Sequence, residues 1–148
     1  MRKTSFAIIA IAALAMATTL MAGDGKDGDA VLKKIQGTWR FKAHETGGKP
    51  REVAKLTITF TADKWVVEQN GKQIQAGTHK FDTSKKPGHI DAKVTEGEGK
   101  GNTMLGIFEF KGDNTMRVCF DPEGKERPTS FEAKEGRLSA TVEREKKK

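Results

Sequence analysis

From Gly37 onward the hydrophobic pattern of this chain repeats every second residue, and that repeat restricts the fold more than any other feature. Its clearest stretch runs Leu56, Ile58, Phe60 and Ala62, alternating with Thr57, Thr59 and Thr61. Such alternation describes a strand with one buried and one solvated face. Trp65 to Glu68, the Ile74-Ala76-Thr78 run, Ile90 to Val94 and the Met116-Val118-Phe120 run read the same way. Met104, Gly106, Phe108 and Phe110 share one face of a further strand, with Leu105 and Ile107 on the other. Arg127-Pro128-Thr129-Ser130-Phe131 is expected to enter another strand, and Leu138, Ala140 and Val142 mark the last.

Short polar segments separate these runs. Asn70-Gly71 is the strongest turn signal, because a type I′ hairpin turn needs positive φ at both central residues. Asp63-Lys64, Lys111 to Asn114 and Glu135-Gly136 are further reversals, while Ser84 to Gly88 and Asp121 to Glu126 read as loops. Glu96 to Asn102, with alternating glycines, is expected to be a mobile connection. It is no phosphate loop, because a strand follows it where a helix N-terminus is required. Ahead of the strands, Asp29 to Ile35 predicts a short helix with Asp29 as its cap. Val31, Leu32 and Ile35 share its face, and Gly37 stops it. Eight or nine short strands without a long helix favour an up-and-down antiparallel barrel or a sandwich. Closure of the sheet also removes aggregation-prone edges.

Residues 1–22 read as a secretory signal peptide. Arg2 and Lys3 precede the uncharged stretch from Phe6 to Leu20, and Ala22 offers a small residue at the cut. The stretch is short of the ~20 apolar residues that span a bilayer. Residues 23–28 are then a flexible leader, 29–144 the barrel domain and 145–148 a basic tail. The expected location is secreted or periplasmic, with no stable membrane insertion after cleavage. Removing residues 1–22 leaves 25 basic and 20 acidic side chains, a mild +5 spread along the chain. Nucleic-acid binding would need a concentrated basic face with interleaved aromatics, so no nucleic-acid partner is expected. A monomer is expected. Cys119, the single cysteine, cannot form an intrachain disulfide. In its strand-like run it reads as a buried, inert thiol, with a reactive or dimer-forming thiol as the alternative.

Parity links the two ends of the domain. Trp39, Phe41 and Ala43 share a face of the first strand, and Leu138, Ala140, Val142 and Arg144 share one of the last. If these strands pair antiparallel, Arg144 points inward beside Trp39 and the two plug one barrel end, with Leu32 and Ile35 beneath. In the alternative, Trp39 is ordinary core and Arg144 frays with the tail.

Gly37-Thr38-Trp39 resembles the Gly-x-Trp signature of lipocalins. Together with Ile35-Gln36 before it, Gly77 to Pro87, Met104 to Glu109 and Arg127 to Phe131, it makes the chain similar to one particular family. These are small secreted lipocalin-like proteins, abundant in planctomycete-type bacteria and mostly uncharacterised. The order and spacing match from about Asp29 to Glu143. His79 and Phe108 depart from the pattern, standing where Tyr is common, and this chain has no Tyr. The resemblance implies an all-β, lipocalin-like up-and-down barrel of about eight strands and an exported location. It implies no activity and no catalytic residues.

No catalytic motif, metal-ligand spacing or cofactor motif stands out, and an enzyme is not expected. His44, His79 and His89 form no helical pair. His79 and His89 would face each other if their strands are adjacent, but without zinc-type spacing solvated surface residues are the better reading. The remaining functional candidate is the barrel interior. Its expected lining or core is Phe41, Ile58, Phe60, Trp65, Met104, Phe108, Phe110, Met116, Phe120 and Phe131. A hollow barrel would carry or sense a small hydrophobic ligand, with a cavity of roughly 300 Å³ or more opening opposite Trp39. A filled barrel would instead be a non-catalytic interaction module with an outer apolar patch above about 400 Å². The ten side chains are compatible with both.

Overall fold

The structure, a computed structural model, describes residues 28–134 and 136–146. The expected signal peptide, residues 23–27 of the leader, and the last two residues of the tail lie outside the described residues. Gly28, assigned to the leader from sequence, instead begins helix α1, residues 28–35.

Nine strands follow: β1 (Gly37–Thr46), β2 (Lys49–Pro50), β3 (Leu56–Phe60), β4 (Lys64–Gln69), β5 (Lys72–Asp82), β6 (Gly88–Gly97), β7 (Thr103–Phe110), β8 (Thr115–Asp121) and β9 (Leu138–Arg144). All neighbours pair antiparallel. The two-residue β2 only extends the edge of β1. The other eight follow one another in chain order, and β1 pairs with β9 to close the ring. The fold is therefore a lipocalin-like up-and-down barrel. Asn70 and Gly71 have φ of 56° and 78°, the values a type I′ turn demands.

The lower end of the barrel is shut by α1. A helix leaves its last carbonyls without intrahelical donors, and its C-terminus attracts positive charge. Here Trp39 Nε1–H donates to Ile35 O at 2.8 Å. Arg144 donates to Gln36 O at 3.1 Å and to Lys34 O. Arg144 is the cross-strand partner of Trp39, and its guanidinium lies 4.3 Å from the indole centroid. Trp39 is completely buried and Ile35 nearly so. Leu32 does not sit beneath the plug: it is 36% exposed, and Val31 turns inward in its place. The eight-residue helix presents only a narrow stripe, and Val31 and Ile35, one turn apart, fill it.

Residues 127–131 do not form the strand expected of them. β8 pairs directly with β9 (Phe120 opposite Leu138), so the closed sheet has no vacant position. Pro128 also lacks the N–H a ladder needs. Residues 124–134 instead run over the outside of the barrel. The Arg127 guanidinium donates to Ile90 O (3.1 Å), Gly106 O (2.8 Å) and Asp91 Oδ1 (2.6 Å), clamping the segment across β6 and β7. Phe131 stacks on Arg117, 4.1 Å from its guanidinium carbon. Beneath the segment lies a small second core of Ile107, Cys119 and Ala133. Burial pushes the Cys119 thiol up, against a weaker opposing pull from Arg137, so the group stays protonated at neutral pH.

Asp121 starts this outer segment. Burial alone would raise its pKa, but backbone N–H groups of Glu126, Glu123 and Lys125 donate to the carboxylate and Arg137 adds positive charge. The net effect holds Asp121 below its ordinary value of 3.8. At the 96–102 connection, β6 continues to Gly97, and Gly101 N–H to Val94 O (2.9 Å) and Val94 N–H to Asn102 O (2.9 Å) close the turn.

Two outcomes follow. Trp39→Ala removes a fully buried indole and is expected to cost about 3–5 kcal/mol in urea unfolding. A loss under about 1 kcal/mol, the range of surface substitutions, contradicts the closed-end packing. Asp121→Asn is expected to cost roughly 1–2 kcal/mol at pH 7 by weakening charge-assisted bonds to the segment. Because the folded pKa is depressed, this contribution is present above the ordinary value and vanishes as pH falls through the folded one. The gap between wild type and variant should thus close on acidification, and a gap constant from pH 7 to 2 contradicts the assignment.

Candidate functional site

Strand pairing fixes which side chains face the lumen. Phe41, Val142, Met116 and Phe110 form one cross-strand row, and Ile58 with Val67 belongs to another. These walls enclose a cavity of about 750 Å³. Of the ten interior candidates, Phe41, Ile58, Phe60, Trp65, Met104, Met116 and Phe120 line it. Phe108 and Phe110 lie below. Phe108 meets Phe81 edge to face at 5.2 Å, Phe81 meets Phe60 at 5.9 Å, and Phe110 stands 6.3 Å from Trp39. These rings form a floor between the cavity and the closed end. Phe131 takes no part: its segment lies outside the barrel.

The cavity opens at the opposite end. Its rim includes Gln69 at the end of β4, Glu98 and Asn102 in the β6–β7 turn, and Pro122 after β8. This volume lies in the ordinary range of small-molecule sites, concave and apolar with a few polar groups.

Three glycines seat aromatic rings against the barrel wall. Each stands directly across from an aromatic residue: Gly77 from Trp65, Gly88 from Phe108 and Gly106 from Phe120. A Cβ on Gly106 would meet Phe120 Cδ1 at 2.4 Å, and one on Gly88 would meet Phe108 Cε1 at 2.4 Å. The rings thus lie flat against bare backbone and leave the centre free, the pairing that rescues glycine in sheets. Trp65 is further fixed by its Nε1–H, which donates to Thr78 O at 3.0 Å.

Bulges on β1 and β5 redirect several residues that sequence parity places elsewhere. One between Phe41 and Ala43 sends Ala43 opposite Thr141, on the outside, and His44 opposite Ala140, inside. Ala43 therefore does not share the face of Trp39 and Phe41. Another on β5, where Ile74 is the extra residue between Gln73 (opposite Glu68) and Gln75 (opposite Val67), puts Gln75, Gly77, His79 and Phe81 on the lumen side. His79 joins the floor 4.8 Å from Phe81, with its Nε2 2.9 Å from Thr61 O. His89, opposite Asp82, faces outward, so the two histidines do not meet. Among the described residues no group of three or more His, Cys, Asp or Glu side chains gathers as a metal site.

His44, Arg51, Glu52 and Phe81 belong to the lumen and its rim or floor but were absent from the interior residues expected from sequence. A bulge has no reliable signature in one sequence, so a parity count carries past Lys42 and Ile74 without correction.

Gly106→Ala is expected to drive the Phe120 ring into the lumen and cost about 1–3 kcal/mol in denaturant unfolding. Adding Phe120→Leu should recover part of the loss, because the two sites touch. Strict additivity in this double-mutant cycle contradicts the ring-on-glycine account. Comparison with protein-family models, curated proteins and solved structures returns no match for this chain, so the site is interpreted from its own geometry.

Proposed function

We propose that this protein is an exported, non-catalytic carrier or sensor that holds a small apolar molecule in its barrel. The observation that carries this reading is the cavity of about 750 Å³, floored by aromatics, walled by Ile58, Val67, Met104 and Met116, and open at one end. Apolar walls gain from excluding water, and Met and aromatic side chains adjust to irregular ligand shapes. The residues 1–22 pattern of a secretory signal supports a role outside the cytoplasm.

The competing interaction-module reading requires a filled barrel and an apolar outer patch. The lumen is not filled. The exposed large hydrophobics among the described residues are Leu32 and Ile74. Leu32 belongs to the helix at the closed end and Ile74 to the mouth, so they do not join in one patch.

Titration with N-phenyl-1-naphthylamine, an uncharged fluorescent probe of apolar pockets, tests the proposal. Saturable one-to-one binding is expected. Ala92 is 3% exposed and faces the lumen. Ala92→Phe, which fills space there, should weaken the probe at least about tenfold, or ~1.4 kcal/mol, with the circular dichroism spectrum unchanged. Non-saturable binding by the wild type, or full affinity in the filled variant, contradicts the proposal.

A further inference from the structure

The upper lumen contains one polar feature that the apolar walls do not explain. His44 Nε2 is buried and has no hydrogen-bond partner among the described residues. Its ring packs 5.8 Å from Phe41 and stands across from Ala140, so neither neighbour supplies a donor or acceptor side chain. A buried polar atom left unpaired is costly, and native structures satisfy nearly all of them. His44 itself lines a space that is large enough for a ligand and opens to the outside, so a small turn of the ring would bring this closed-off nitrogen to the lumen.

We propose that the lumen selects an uncharged amphiphile, an apolar chain carrying one hydroxyl or carbonyl group, which hydrogen-bonds to His44 Nε2. This inference rests on the lumen being a ligand site and names the class of ligand. The chain would lie over the Phe60 and Met116 region with the polar group toward the mouth.

Charge separates this class from the anionic alternative. Burial pushes the His44 imidazole below its ordinary pKa of 6.5, and the nearby Arg51 guanidinium pushes it the same way. At neutral pH the ring therefore offers a hydrogen bond and no counter-charge. The cavity rim adds three carboxylates, Glu52, Glu98 and Glu123, against the single guanidinium of Arg51. Glu123 is paired with Lys125, which lies outside the lining, and Glu52 accepts from the Ala54 backbone. An incoming carboxylate would meet net repulsion at the mouth and a neutral imidazole inside. The imidazole nitrogen accepts from an alcohol in one tautomer and donates to a carbonyl in the other, so both uncharged groups fit.

Displacement of N-phenyl-1-naphthylamine by decane, 1-decanol and decanoate, on wild type, His44→Leu and His44→Gln, tests this. In the wild type, 1-decanol should bind about tenfold more tightly than decane, and decanoate more weakly than 1-decanol. His44→Leu should keep the probe and decane but lose the preference for 1-decanol, while His44→Gln should retain part of it. The proposal is overturned if 1-decanol gains nothing over decane in the wild type. A preference that survives in His44→Leu, or tighter binding of decanoate than of 1-decanol, overturns it as well. Should His44→Leu lose the probe too, His44→Gln decides: retained preference supports the hydrogen bond, and its loss with the probe still bound overturns it. Failure of the wild type to bind the probe at all defeats the carrier reading itself, a result distinct from probe binding without alcohol preference.

Discussion

The contact on which the rest of this structure depends is the one joining Trp39, Arg144 and the end of α1. It ties together three parts of the chain that are remote in sequence: the helix, the first strand and the last. Cross-strand pairing sets Arg144 beside Trp39, the guanidinium covers the indole at 4.3 Å, and both side chains donate to carbonyls at the helix terminus. A cation over an aromatic face contributes roughly 0.5–2 kcal/mol, more when water is excluded. The same guanidinium satisfies helix carbonyls that would otherwise lack donors at a buried end. Closing the barrel and capping it are thus one event in this chain.

With one end sealed, the interior is free to be something other than tightly packed core. Ring-on-glycine pairs hold Trp65, Phe108 and Phe120 against the wall, and the aromatic floor above Trp39 separates packed protein from open lumen. Stability is supplemented outside the ring. The 124–134 segment covers Ile107 and Cys119, is started by Asp121 and is held by Arg127. The layering shifts part of the apolar burial to the outer face, which is a physical route to a small barrel that remains hollow. Outer core and hollow lumen are linked at Gly106: its carbonyl accepts from Arg127 outside, while its missing side chain admits Phe120 inside.

Much of this architecture was legible in the sequence, for reasons specific to particular residues. Threonines between Leu56, Ile58 and Phe60 declare a half-buried strand, and Asn70-Gly71 declares a hairpin, because both signals are local. The adjacency of Trp39 and Arg144 followed from parity once closure of the first strand on the last was assumed. What failed was also local in cause. The bulge after Phe41 turns His44 inward and Ala43 outward, and the one at Ile74 turns His79 and Phe81 inward. The run ending at Phe131 has the composition of a strand, but a closed sheet leaves such a run only the outer surface, so Phe131 is not interior. Leu32, expected beneath the plug with Ile35, stays exposed on a helix too short to bury it along with Val31. Whether the barrel is hollow was not legible at all, since it depends on the three-dimensional sum of side-chain volumes and on which rings lie against which glycines.

The central claim is that this protein holds a small molecule in a single apolar lumen. Native mass spectrometry of the protein, purified without detergent from an exporting host, addresses it most directly. A reproducible one-to-one adduct is predicted, released on unfolding and absent from Ala92→Phe. A bare polypeptide mass in repeated preparations, unchanged after exposure to extracted lipids, would contradict it.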